Sequence, residues 1–193
     1  WQTNLKRLLA YSSIAHAGYM TMALTVMNEE AFEAMIIYIG VYLVMNLGAF
    51  FTVLFIENRT NRCDIGAYRG LVGRSPLVAS VMTIFLLSLL GIPPTAGFLA
   101  KFKLFGALID AGTELSVMLA IIAIVNTVIS AYYYLGVVKT MVLDPAEEEG
   151  PLEIEPVGRG VLLVLAVAVL VIFVFWTPVQ RLADQIPLTF TSF

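Results

Sequence analysis

Apolar residues fall in long blocks separated by short polar stretches. A first block runs from about Leu8 to Met27 and is closed by Asn28-Glu29-Glu30; a second runs from about Ala34 to Ile56 and is closed by Glu57-Asn58-Arg59. Two later blocks cover about Leu115 to Val138 and about Gly160 to Trp176, the last stopped by Thr177-Pro178. Each is close to the roughly 20 helical residues needed to cross a hydrocarbon core. The middle block, Pro76 to Ala111, is too long for one crossing. Roughly 36 residues at a 1.5 Å rise would measure about 54 Å against a core of about 30 Å. It carries its own interruption, Gly91-Ile92-Pro93-Pro94-Thr95-Ala96-Gly97, in which the prolines remove helix hydrogen bonds and restrict the residue before them. The pattern predicts an all-α integral membrane protein. It has a single transmembrane domain over residues 1–193, built of five transmembrane units, the third a helix broken at 91–97.

Composition supports the membrane reading. The chain is 60% hydrophobic and 13% charged with a mean hydropathy of +0.90, whereas soluble domains carry about a quarter charged residues. The net charge of -3 therefore describes loops, and gives no reason to expect nucleic acid as a partner. A lone cysteine, Cys63 in a polar loop, allows neither an internal disulfide nor a cysteine-based metal site. The residues before the first block do not form a signal peptide, and a start at Trp1 rather than Met reads as a fragment.

If the five units alternate, Lys6, Arg7, Arg59, Arg62, Arg69, Arg74, Lys139 and Arg159 share one side and Arg181 falls on the other. The bias makes the first side cytoplasmic and turns the C-terminus outward. It also favours counting the broken segment as one crossing, since two would scatter these cations. Two loops then lie on the cytoplasmic side. Residues 57–75 are mixed in charge and Gly-rich; residues 139–159 carry Asp144, Glu147, Glu148, Glu149, Glu153 and Glu155 among three prolines and read as a solvated, extended connector.

Few residues in the apolar blocks carry chemistry. Lys101, behind the break, has roughly 14 Å of helix between it and the outer face at Asp110, which places it near the midplane. A lysine there costs about 2.5 to 3.5 kcal/mol on insertion scales, which singles it out as a group that loads and releases a proton. The carbonyl end of the preceding half-helix, near Leu90, is the natural partner of its charged form. The competing reading is a lysine that snorkels or pins a subunit interface. Lys103 lies about 200° further round the helix, so the two cannot share a face; it is placed to snorkel or to meet another polar chain. His16, the one histidine, shares a helix face with Ser12 and Tyr19, and stands either as a proton-passing group or as a neutral ring tied to a neighbouring hydroxyl. Lys6 and Arg7 read first as flanking charge. Asn126, Thr127 and Ser130 put polar groups in the middle of the fourth unit, where they either hold water beside Lys101 or bridge helices. Tyr132, Tyr133 and Tyr134 read as an interfacial aromatic belt. With one histidine and no carboxylate inside a span, a metal site is not expected, nor is there a phosphate-binding loop, a haem or iron-sulfur ligand set, or a nucleophile-base pair.

The stretch Leu5-Lys6-Arg7-Leu8-Leu9-Ala10-Tyr11-Ser12-Ser13-Ile14-Ala15-His16-Ala17-Gly18-Tyr19, followed by Gly91-Ile92-Pro93-Pro94-Thr95-Ala96-Gly97-Phe98 with Lys101-Phe102, resembles the antiporter-like membrane subunits of respiratory complex I. Asn126 and Ala131-Tyr132-Tyr133-Tyr134-Leu135 bring the resemblance closest to subunit N, the homologue of mitochondrial subunit two. The resemblance implies an antiporter-like fold of inverted repeats in a bacterial inner membrane, as part of proton-pumping NADH:quinone oxidoreductase. NADH, FMN, iron-sulfur clusters and quinone would be bound by partner subunits, with no cofactor on this chain. The partners would be neighbouring antiporter-like and small membrane subunits and the lipid bilayer. By the same resemblance Lys101 is the proton-channel lysine of the second broken helix, and Lys6 and His16 belong to the polar axis joining half-channels. Lys103 stands where the family often has an aromatic residue. A whole subunit of this kind has about fourteen spans in two inverted repeats of five, so five units with one broken helix correspond to its C-terminal portion. A subunit of a multisubunit cation/proton antiporter or membrane-bound hydrogenase is the alternative, and a purely structural remnant is a third reading.

Overall fold

The computed structural model describes residues 2–26, 28–147, 150–152 and 154–184. Trp1, Met27 at the expected end of the first span, Glu148, Glu149 and Glu153 of the connector, and the expected outward terminus at 185–193 lie outside the described residues.

The described residues are helical, with no strand beyond one isolated bridge between Asn4 and Asp64. Helix α1 spans Leu5–Met22 and tightens into a 3-10 turn at Ala23–Thr25; α2 spans Glu29–Thr60. A 3-10 turn at Ile65–Tyr68 and the short α3, Leu71–Arg74, lead into α4, Pro76–Leu90. Then follow α5 at Ala96–Asp110, α6 at Glu114–Val142, α7 at Pro156–Val174 and α8 at Trp176–Asp184. Three of these, α2, α6 and α7, are long and apolar enough to cross a membrane, and α4 is a shorter apolar helix. The chain is a multi-pass membrane protein.

Local chemistry sets the helix ends. Asn4, Asn28 and Thr113 each accept a hydrogen bond from the backbone N–H three residues on, satisfying one of the donors that a helix start leaves orphaned. Pro76 and Pro156 occupy first-turn positions, where no N–H is needed. Helices α2 and α6 run beyond their hydropathy blocks at both ends, because the block marks the apolar middle while the caps lie in the polar flank. The last helix departs further from expectation. Its break falls at Phe175, ahead of Thr177-Pro178, so those two residues lie inside α8.

Helix α2 is the central post, packed against α1, α4, α5, α7 and α8, while α6 covers α4 and α5 from the other side. Its buried stripe includes Ala34, Tyr38, Val41, Met45, Ala49, Val53 and Ile56, a helical spacing that follows the burial on several faces. Helix α7 buries Leu162, Ala166 and Val169 and leaves Val164, Val167, Val171 and Val174 exposed, as suits a helix with apolar surroundings on its outer face.

One end of the bundle gathers the N-terminus and both long connections. Leu5 N–H donates to the Cys63 carbonyl at 2.9 Å and Ile65 N–H to Thr3 at 2.8 Å. Arg69 pairs with Glu147 at 2.7 Å and Arg62 with Asp64 at 2.7 Å, and Leu152 N–H donates to the Arg74 carbonyl at 3.0 Å. Leu152 and Ile154 are buried. The connector after α6 is exposed at most of its described residues and is also pinned across the 57–75 loop: Leu152 and Ile154 plug the bundle end while its acids meet the loop arginines. The hydrogen bond from Arg62 holds the Asp64 carboxyl below the ordinary carboxylate value.

Candidate functional site at the helix break

The interruption between α4 and α5 is narrower than the sequence motif. Helix α4 ends at Leu90, and α5 begins at Ala96. Gly91 makes the stop, at φ 85, a left-handed conformation that favours glycine. Gly91 N–H donates to Ser88 at 3.1 Å and Ile92 N–H to Leu87 at 3.1 Å, the paired bonds of a Schellman end. A helix end leaves four carbonyls without partners. Leu87 and Ser88 are thus satisfied by the backbone, and Leu89 and Leu90 remain.

Lys101 takes both. Its Nζ donates to the Leu89 carbonyl at 3.1 Å and to Leu90 at 3.0 Å. The lysine caps the preceding half-helix with its ammonium at the negative end of that helix's dipole. It is only 5% exposed, and its Nζ also lies 5.2 Å from the centre of the Tyr19 ring. Because α5 starts at Ala96, inside the 91–97 motif, Lys101 stands about a turn and a half into it.

Gly97 and Ser88 join the two half-helices. Gly97 N–H donates to Ser88 Oγ at 3.2 Å, and a Cβ at Gly97 would lie inside the Ser88 carbonyl. Ser88 Oγ in turn donates to Met45 Sδ at 3.3 Å, tying the break to α2. Sequence reasoning passed over Ser88, although it is the hydroxyl nearest the break among Ser80, Thr83 and Ser88 of α4.

The polar stripe of α1 faces this site. Ser12, His16 and Tyr19 are all buried. His16 Nδ1 is 2.9 Å from Tyr38 Oη, and its ring stacks on Tyr42 and meets Tyr19 edge-on. The hydroxyl partner is present, and it comes from α2. Tyr19 Oη accepts from Asn126 Nδ2 at 2.7 Å, with Thr127 Oγ1 at 3.5 Å. Tyr134 corrects the belt expectation: it is buried and hydrogen-bonded to Ser12, whereas Tyr132 is exposed. Its signal was its position on the Asn126, Ser130, Tyr134 face of α6. Tyr38 and Tyr42 were not singled out, because tyrosine within an apolar block looks like core.

The remaining sequence candidates stand apart. Lys103 points to α2 and pairs with Glu33, with both side chains largely buried. Lys6 pairs with Glu57, a contact not aligned as a hydrogen bond, at the loop-bearing end and roughly 15 Å along α1 from His16. The structure brings Lys101, Tyr19 and His16 together but neither Lys6 nor Lys103 with them. Among the described residues no three His, Cys, Asp or Glu side chains converge as metal ligands.

Two cavities reach the cluster. One of about 580 Å³ is lined by Gly91, Lys101, Phe105, Thr127 and Asp110, leading from the lysine toward the end of α5. Another, of about 820 Å³, reaches Ser12 and Asn126 from Lys139, Thr140 and Asp144 at the loop-bearing end.

The chain is similar to known proteins over most of its length. Residues 1–130 fit the family model described as NADH:quinone oxidoreductase/Mrp antiporter, TM. The chain belongs to this family. Over 179 residues it is 44% identical to NADH-quinone oxidoreductase subunit N 2 of Sorangium cellulosum, covering 92% of this chain and 35% of that protein. It is similar to a chain of respiratory complex I from Thermus thermophilus, solved with bound aureothin, at 34% identity and a TM-score of 0.74, covering 93% of this chain and 40% of that one. It is also similar to a chain of an archaeal membrane-bound sulfane sulfur reductase at 27% identity and a TM-score of 0.84, covering 95% and 37%. This member of the antiporter family thus spans about a third of the length of the curated relatives it matches.

Proposed function

We propose that the chain is the C-terminal portion of a subunit N, serving as a non-redox, proton-translocating part of NADH:quinone oxidoreductase. Its five crossing units form one transmembrane domain over residues 1–193, with α4 and α5 as a single discontinuous crossing in an inverted-repeat fold. The observation that carries the reading is Lys101: a buried lysine whose Nζ caps the carbonyl end of the interrupted helix and faces a cavity running toward Asp110. Such a group can hold a proton against the Leu89 and Leu90 carbonyls and release it to water in that cavity. His16 extends the path along α1. Lys6 would act only as an entry-side charge and Lys103 as an anchor to α2, since neither lies in the cluster.

The cations Arg59, Arg62 and Arg69 gather with Lys6 at one end, which supports a cytoplasmic loop side and an outward C-terminus in a bacterial inner membrane. NADH, FMN, iron-sulfur clusters and quinone belong to partner subunits, and the neighbours are other antiporter-like and small membrane subunits with lipid. The family description, which names Mrp antiporters beside NADH:quinone oxidoreductase, supports a second reading, a subunit of a multisubunit cation/proton antiporter or membrane-bound hydrogenase. Isolation of the intact complex through this subunit distinguishes them. Flavin and iron-sulfur subunits able to oxidise NADH are expected to copurify; a complex without NADH oxidation would favour the second reading.

A further inference from the structure

The two cavities share no lining residue, yet two consecutive residues of α6 divide between them. Asn126 lines the cavity from the loop-bearing end, whereas Thr127 lines the one containing Lys101. Both side chains approach the same atom, Tyr19 Oη, at 2.7 and 3.5 Å. Tyr19 is 3% exposed, and its ring is enclosed by His16, Phe105 and the Lys101 ammonium. A buried phenol that meets polar groups from both sides is a junction, because a hydroxyl can accept and donate at once.

We propose that the Tyr19 hydroxyl is the crossing point between the two cavities: the group through which a proton passes from the Asn126 side to the Lys101 side. The inference rests on the Lys101 relay reading and adds the route by which that lysine is reloaded. Tyr19 Oη accepts a proton from water held at Asn126 as its own proton leaves toward water at Thr127 and Lys101. One O–H bond forms and one breaks, and the phenol ends unchanged after reorienting. Asn126 is then a positioning residue, which aims the phenol oxygen by donating to it.

The test uses the intact subunit in its assembled complex, in membrane vesicles, with protons pumped per quinone reduced as the readout. Tyr19→Phe keeps the ring, and with it the contacts to His16, Phe105 and Lys101, so it isolates the hydroxyl. It should lower the pumping ratio to that of Lys101→Met, and the double variant should be no worse than either alone. Normal pumping by Tyr19→Phe beside impaired Lys101→Met overturns the junction and leaves the relay standing; normal pumping by Lys101→Met overturns the relay itself. Sided labelling gives a reading that does not depend on pumping or on Tyr19 variants assembling. In a Cys63→Ser background, Ala15→Cys opens on the loop-side cavity, and Gly106→Cys opens on the Lys101 cavity, where a Cβ meets nothing within 4 Å. A small charged thiol reagent should reach Ala15→Cys from the loop side alone and Gly106→Cys from the opposite side alone. Reaction of both from one side, or of neither from either, contradicts the separation on which the junction depends.

Discussion

Lys101 has two attachments that a membrane lysine rarely combines: a structural one to two orphan carbonyls and an open one to a cavity. Each unsatisfied buried carbonyl costs about 1–3 kcal/mol, so removing the ammonium loosens the break as well as removing the proton carrier. The glycines around it separate these effects. A Cβ at Gly97 would collide with the Ser88 carbonyl, while one at Gly106 meets nothing within 4 Å. Gly97→Ala is therefore expected to destabilise the assembled subunit by about 1–3 kcal/mol, the usual cost of overpacking, and Gly106→Ala to be neutral or slightly stabilising. Thermal denaturation of the two purified complexes checks this, and equal melting temperatures would contradict the close approach. Lys101 was legible from the sequence because a cation in an apolar block is conspicuous. Ser88 and Tyr38 were not, because a serine in such a block is usually a helix bridge and a tyrosine looks like core, and only the folded packing reveals which ones meet the site.

Among elements, the blocks of hydropathy located the helices but not their ends, and they carried no sign of how the connections pair. Expecting the 139–159 connector to be solvated followed from its acids and prolines. The arginines that partner those acids lie far away in sequence, in the 57–75 loop, and no local pattern reports that pairing. The clamp so formed is electrostatic and mostly exposed, and surface pairs contribute about 0–1 kcal/mol each. Glu147→Gln, which removes the partner of Arg62 and Arg69, should cost less than about 1 kcal/mol, and less still at high salt. The sign of the pH effect follows from Asp64. Its carboxyl is held below the ordinary value, so its contribution is present above that value and is lost as acid drives protonation through the lower, folded one. Proteolysis of the 57–75 loop, where Asp64 pairs with Arg62 and caps Ala67 N–H, should accordingly speed up in acid below the ordinary carboxylate range, using an acid-active protease, and an unchanged rate would contradict that role for Asp64.

For the molecule as a whole, a post of α2 holds a broken crossing whose lysine looks one way into a cavity, with a polar stripe of α1 behind it. The likeness to subunit N was readable from motifs; the convergence of Asn126 and Thr127 on Tyr19 was not, since it depends on how α1, α5 and α6 meet. The central claim is that the proton on Lys101 moves during turnover. Lys101→Arg tests it most directly, because arginine keeps a cation and donors for the Leu89 and Leu90 carbonyls yet does not give up its proton near neutral pH. The measurement is protons pumped per quinone reduced in vesicles holding the intact complex, after assembly is verified. The account predicts a complex that assembles and pumps markedly fewer protons; a Lys101→Arg complex that pumps at the unaltered ratio would show that the lysine only caps the helix.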